Sequence, residues 1–217
     1  AQLSVLCLPA LAHALLPGAI ARMLKAQPQL RVSITPQESP LLEEWMSAQR
    51  FDLGLSEQTA TPHGTQAEVL LTLDEVAVLP AGHALAAQAV LQVQDFANQP
   101  FVSLSADDPY RRQIDARFAE AGVARQLHLQ THSAVAVCAM VQQGLGLAIV
   151  NPLTALAMAG SGLVVRRLGF SVPFSINALL PLYRPALPEA QPLLQSLEAQ
   201  AQEVTAALQR LLSQPAN

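Results

Sequence analysis

The chemistry available to this sequence is concentrated where strands give way to helices. In the run from Thr131-His132-Ser133 through Gly144-Leu145-Gly146 to Asn151-Pro152, a strand ends and Ser133 opens a helix. Glycine then stops it, a buried strand follows, and Asn151 starts a second helix. Such a β-α-β unit aims two helix N-termini, with unpaired backbone N–H groups, at the same edge of a parallel sheet. That arrangement suits an anionic group on a small ligand; it supplies no catalyst.

Residues that would supply catalysis are not grouped. There is no GxSxG elbow and no P-loop, and Glu43 and Glu44 are adjacent, so they point to different faces of a helix. Cys7 falls in the opening strand and Cys138 in an apolar helix, without metal-ligand spacing; both read as buried reduced thiols. His13, His63, His83 and His128 are scattered, with no HxxxH or His/Cys cluster. No metal, no cofactor and no enzyme activity are expected.

The chain has 217 residues, 51% of them hydrophobic, enough for one large α/β domain or two lobes of about 100 residues each. Twelve basic residues against 16 acidic ones give a net charge of -4, and no Lys/Arg block stands ready to neutralise phosphates. Direct contact with nucleic acid is therefore not expected. Ala1 to Leu8 runs straight into a strand without a basic leader, and no apolar run reaches the roughly 18 residues of a membrane span. These readings favour a soluble, cytoplasmic protein.

The elements that must position the strand ends follow from periodicity. Leu3–Leu8 reads as a strand, Leu11–Lys25 as a helix with Pro17 early in it, and Arg31–Thr35 as a second strand. Ser39 reads as an N-cap with Pro40 at the first helical position, and Phe51–Leu55 as the third strand. After a polar loop at Glu57–Gln66, Val69–Leu79 carries two strands around Asp74-Glu75. Phe101–Leu104, Leu127–Thr131 and Leu147–Val150 alternate with helices at Pro109–Ala121 and Ala134–Gln143. Leu163–Leu168 and Ser175–Tyr183 are further strands, and Glu189–Leu212 is a long amphipathic helix. The simplest topology puts residues 1–74 and 177–217 in one lobe and 75–176 in a second. Two crossovers then form a hinge, with a cleft between the lobes.

Four motifs in order carry a resemblance. Leu15-Leu16-Pro17, Phe51-Asp52-Leu53-Gly54-Leu55, Val78-Leu79-Pro80-Ala81-Gly82-His83-Ala84-Leu85 and Gln143-Gly144-Leu145-Gly146-Leu147-Ala148-Ile149-Val150 resemble the effector-binding domain of LysR-type transcriptional regulators, across essentially the whole chain. The string Ala148 to Leu156, with Gly162 to Leu168 and Val172-Pro173-Phe174, is more specifically similar to the branch of the lysine-biosynthesis and octopine/nopaline regulators. The resemblance implies two Rossmann-like α/β lobes of type 2 periplasmic-binding-protein-like fold. It also implies an N-terminal winged helix-turn-helix, absent from this sequence, through which alone DNA would be bound. Homodimers of this domain, from the first-lobe helices Leu11–Lys25 and Leu41–Gln49, and tetramers at full length are implied as well.

In such proteins a small-molecule effector lies in the cleft, against loops that follow strands. Carried over position by position, the first loop is Pro9, Ala10 and Leu11; family members often carry a hydroxyl near Ala10, so backbone N–H or packing replaces it here. The second is Glu38 and Ser39. Ser39 either caps its helix or binds a carboxylate, and Glu38 is either a solvated loop residue or the counter-charge for an ammonium or guanidinium group. From the second lobe come Ser105, Asp108, Pro109, Tyr110 and Arg111. One of Asp107 and Asp108 is a cap, and one of Arg111 and Arg112 turns inward to grip a carboxylate. Thr131, His132, Ser133 and Asn151 complete the set, with capping as the alternative role for Ser133 and a surface role for His132. The effector expected from the branch is amino-acid-like, a basic amino acid or an opine. An exported solute-binding protein of a transporter is the alternative reading.

Overall fold

The computed structural model describes residues 2–57 and 60–214, which divide into two compact α/β units. Unit one comprises Ala1–Thr72 and Ser175–Ala206; unit two comprises Leu73–Phe174 and Ala207–Asn217. Gln58 and Thr59, inside the polar loop expected from the sequence, lie outside the described residues.

Unit one opens with β1 (Gln2–Cys7), α1 (Pro9–Ala14), α2 (Leu16–Ala26), β2 (Arg31–Pro36), α3 (Leu41–Ser47), β3 (Leu53–Ser56) and most of β4 (Thr65–Asp74). The single helix expected over Leu11–Lys25 is two. Leu15, at φ -123° and ψ -49°, interrupts it, and α2 restarts with Pro17 in its first turn. Proline has no N–H for the carbonyl one turn back, so a fresh helix start costs less than a continuous helix through it. Ser39 is not the cap of α3: Pro40 holds that position, with no side-chain hydrogen bond to the helix.

Unit two comprises β5 (Val76–Pro80), β6 (Val90–Leu91), β7 (Pro100–Leu104), α4 (Pro109–Ala121), β8 (Gln126–Thr131), α5 (Ala134–Gln142), β9 (Ala148–Val150), α6 (Pro152–Met158) and β10 (Leu163–Leu168). The chain re-enters unit one along β11 (Pro173–Pro181), and α7 (Ala190–Leu212) follows. Leu193, Leu194, Leu197 and Ala201 of α7 are buried. Its last turn belongs to unit two, where Leu211 and Leu212 pack against that unit's core.

The sheet of unit one has the order β2-β1-β3-β11-β4, with β1 parallel to both β2 and β3 and β11 antiparallel to β3. The chain leaves β1 for β2 on one side, then crosses back through α3 to β3 on the other. The carboxyl ends of β1 and β3 therefore mark a topological switch point, where open α/β sheets bind ligands. Register puts Cys7 opposite both Pro36 and Leu55, so the three strands end together. Leu42 and Met46 of α3 pack on Leu6, Phe51 and Leu179.

In unit two the order β6-β10-β5-β9 continues through a parallel bridge, Phe101 to Leu147, into the parallel pair β7-β8. Gly146 makes that bridge possible. At φ +155°, a Cβ on it would lie 2.7 Å from the Pro100 carbonyl oxygen, so only glycine lets the strands approach. One face of this sheet is packed by Phe96, Phe101, Ile114 and Phe118, and the other by Val102, Val137, Val141 and Val150.

Candidate functional site

In unit two the strand ends β7, β8 and β9 each lead into a helix whose first turn is closed by a side chain. The Tyr110 and Arg111 N–H groups donate to Asp108 Oδ1 at 2.8 and 3.2 Å. The Ala136 N–H donates to Ser133 Oγ at 3.1 Å, and the Thr154 N–H to Asn151 Oδ1 at 2.8 Å. Asn151 also donates through Nδ2 to Thr154 Oγ1 at 3.0 Å, inside a buried pair. Proline follows the cap in α4 and α6, at a place where no N–H is needed. The β-α-β run read from the sequence is therefore present: Ser133 caps α5, Gly144 leaves it at φ +80°, and Asn151 caps α6.

Beside the β7 end lies a charge network. Arg111, 12% exposed, donates through Nε to Asp115 Oδ2 and through Nη1 to the Leu104 carbonyl, each at 2.8 Å. Arg125 donates to the other Asp115 oxygen at 2.6 Å, and its guanidinium lies 3.9 Å from the Phe118 ring centroid and 4.7 Å from that of Phe101. Burial lowers the Arg125 pKa; Asp115 opposes the shift and Arg111 adds to it. Two guanidinium groups share one carboxylate, so Arg111 is a fixed cation at the strand end, while Arg112 is exposed.

Around these groups, Ser105 is buried and its carbonyl accepts the Asp108 N–H. The Tyr110 ring lies 5.7 Å from Phe174, Thr131 Oγ1 accepts the Ser133 N–H at 3.3 Å, and His132 and Pro109 are exposed.

At the switch point of unit one the polar atoms are arranged differently. Ser39 Oγ donates to Glu43 Oε1 at 2.6 Å, and Ser56 Oγ donates to the same oxygen at 3.3 Å. The second oxygen, Oε2, is buried and has no hydrogen-bond partner. Ser39 thus donates to a carboxylate four residues on, and Pro40 rather than Ser39 occupies the cap position of the helix. Glu38 is exposed, its N–H taken by Gln37 Oε1 at 2.9 Å. On the β1 loop, Leu11 is fully buried and donates its N–H to the Leu8 carbonyl, Pro9 has no N–H, and Ala10 is half-buried.

Sequence reasoning named Ser39 but missed Glu43 and Ser56. The four-residue spacing from Ser39 to Glu43 was the available signal; Ser56 joins only through the fold. Glu75, 1% exposed at the junction of β4 and β5, was also missed as a buried acid.

Nothing in these groups makes a nucleophile. Cys7 and Cys138 are free and buried; burial pushes each thiol up to about 12, with the Glu75 carboxylate adding to the effect at Cys138. Among the described residues no group of His, Cys, Asp or Glu is placed to hold a metal ion, and no helix is long and apolar enough to cross a membrane.

Two α/β units with polar side chains gathered at the carboxyl ends of their strands have the architecture of a ligand-binding module. Comparison with known proteins makes this specific. Residues 1–202 match the family described as LysR substrate binding domain, and the chain belongs to it. It is 47% identical over 212 residues to the transcriptional activator protein LysR of Escherichia coli (strain K12), covering 98% of this chain and 68% of that protein. The regulatory protein NocR of Agrobacterium tumefaciens (strain T37) is 27% identical over 184 residues, covering 85% of this chain and 61% of NocR. Among solved structures, the effector-binding domain of QuiR in complex with shikimate superposes with a TM-score of 0.75 at 15% identity, covering 94% of this chain and 98% of that one. The fold is thus the two-lobed, periplasmic-binding-protein-like α/β fold of these effector-binding domains. The matched proteins are transcriptional regulators, and the alternative reading as an exported solute-binding protein finds no support in them.

Proposed function

We propose that this chain is the sensor of a cytoplasmic LysR-type regulator and that its effector is amino-acid-like, a basic amino acid or an opine. The observation that carries the reading is the 47% identity to a transcriptional activator over nearly the whole chain. The parent protein would bind DNA through a separate N-terminal reader, with this domain pairing as a homodimer and the full-length protein forming tetramers. Effector binding then shifts transcription by its differential affinity for two states of that assembly. No catalysis is part of this reading.

The proposed contacts lie at the strand ends. In unit two, Arg111 offers a fixed guanidinium to the effector carboxylate, with Ser105, Asp108, Pro109, Tyr110, Thr131, His132, Ser133 and Asn151 forming the surrounding loops. In unit one, Ser39 and the Pro9-Ala10-Leu11 loop line the switch point, and exposed Glu38 adds negative potential.

A thermal-shift screen tests the effector class, because a ligand bound only by the native state raises apparent stability by about 2.7 kcal/mol at a hundredfold excess over Kd. Lysine, arginine, ornithine, diaminopimelate, octopine and nopaline are expected to include a compound that gives a concentration-dependent rise, with neutral amino acids giving none. No rise with any basic compound would overturn the effector class and leave family membership intact.

A further inference from the structure

We infer that Glu43, rather than any loop residue, is the group that recognises the cationic end of the effector in unit one. This rests on the reading that the domain senses a small molecule, and it adds a residue and a charge rule to it. Glu43 Oε1 is held in place by two neutral hydroxyls, Ser39 and Ser56, while Oε2 is buried without a partner. Among the described residues no Lys, Arg or His forms an ion pair with Glu43, whereas Asp52 is paired with Arg184 and Asp115 with two arginines; Glu189 also has one buried oxygen without a hydrogen bond, but no hydroxyls at strand ends hold it. Removing a carboxylate oxygen from water without a partner is costly, and a fold that needed only a hydrogen bond to Ser39 would use a neutral side chain.

Position supports the same conclusion. Ser56 is the last residue of β3 and Ser39 follows β2, so Glu43 is tethered to the carboxyl ends of the two strands that pair with β1, one of which, β3, forms the switch point with it. A primary ammonium or a guanidinium there would donate to Oε2 and neutralise the charge, and the serine hydroxyls fix the carboxylate before the ligand arrives. A neutral side chain of the same length would leave Oε2 unpaired and bind less well. The site therefore selects for positive charge more than for shape.

The test compares the domain with Glu43→Gln and Glu43→Asp, titrated by NMR with n-butylammonium and by calorimetry with lysine, arginine, diaminopimelate and norleucine, the last lacking lysine's terminal amine. Wild type is expected to bind n-butylammonium and at least one basic amino acid, with resonances of Ser39, Glu43 and Ser56 shifting. Glu43→Gln should weaken the cations at least tenfold and leave any norleucine binding within about twofold. Glu43→Asp, which keeps the charge but shortens its reach, should fall between and covers the case in which the amide variant folds poorly. If n-butylammonium is bound in a Glu43-dependent way while no amino acid is, the residue assignment stands and the effector class falls. Basic amino acids bound equally well by wild type and both variants, or no cation bound by wild type, would overturn the assignment.

Discussion

Two carboxylates flank the same short strand of unit one, and their surroundings could hardly differ more. Asp52, just before β3, spends both oxygens. Ser4 N–H and Ser4 Oγ donate to Oδ2 at 2.8 and 2.9 Å, and Arg184 Nε donates to Oδ1 at 2.9 Å while its Nη1 reaches the Gln49 carbonyl. Glu43, held to the far end of β3 through Ser56, has two neutral donors on one oxygen and none on the other. A carboxylate saturated by a backbone N–H, a hydroxyl and a cation is part of the frame. Glu43, fixed in place with one oxygen left without a hydrogen bond, is not saturated in this way.

The sharpest break of that comparison is at Asp52. Asp52→Ala strands the Ser4 N–H and the Arg184 guanidinium together, and loss of about 3–5 kcal/mol of unfolding free energy is expected in urea. The acid limb carries the same information. Burial pushes the Asp52 carboxyl up, but the Ser4 hydrogen bonds and Arg184 outweigh it and hold the pKa below the ordinary carboxylate value. The stability this confers is therefore complete above the unfolded-state value of about 3.9 and is lost as pH falls through the lower, folded value. The gap between wild type and Asp52→Asn should accordingly be full at pH 7 and shrink below pH 4. A gap that stayed constant to pH 2.5 would remove Asp52 from the frame.

Unit two supplies the next contrast, because Asp108, Ser133 and Asn151 at its strand ends are committed to capping. Asn151→Ala removes the acceptor of the Thr154 N–H and the donor to Thr154 Oγ1 in a buried pair, and a cost of about 2 kcal/mol is expected. Ser133→Ala, at an exposed cap, should cost about 1 kcal/mol. Urea unfolding that ranked the two in the opposite order would mean that burial does not set the worth of these caps.

The same contrast explains what was legible beforehand. Asp108-Pro109, Ser133 and Asn151-Pro152 bond to atoms two or three residues on, so local spacing was enough to place α4, α5 and α6. The break at Leu15 was hidden because apolar periodicity runs across it and only Pro17 hints at the restart. Ser39 was misread as a cap since an Ser-Pro pair looks like a helix start. Its actual partner, Glu43, is one turn away, and the third member, Ser56, arrives only when β3 docks. Arg125 likewise precedes an unremarkable strand, and its burial against Phe101, Phe118 and Asp115 depends on tertiary packing.

The smallest expected effect sharpens the comparison most. Glu43→Gln keeps an oxygen for Ser39 and Ser56 to donate to and replaces a partly desolvated charge with a neutral amide, so the hydrogen bonds lost are few and the burial penalty falls. Its stability without ligand should lie within about 0.5 kcal/mol of wild type, a value typical of substitutions that break no paired group. Asp52→Asn, chemically the same exchange at the other end of β3, should cost several times more at pH 7. Urea curves at matched pH decide the point. Near-equal losses would make both acids structural, whereas a silent Glu43→Gln beside a costly Asp52→Asn would show that the fold retains Glu43 for something other than its own stability.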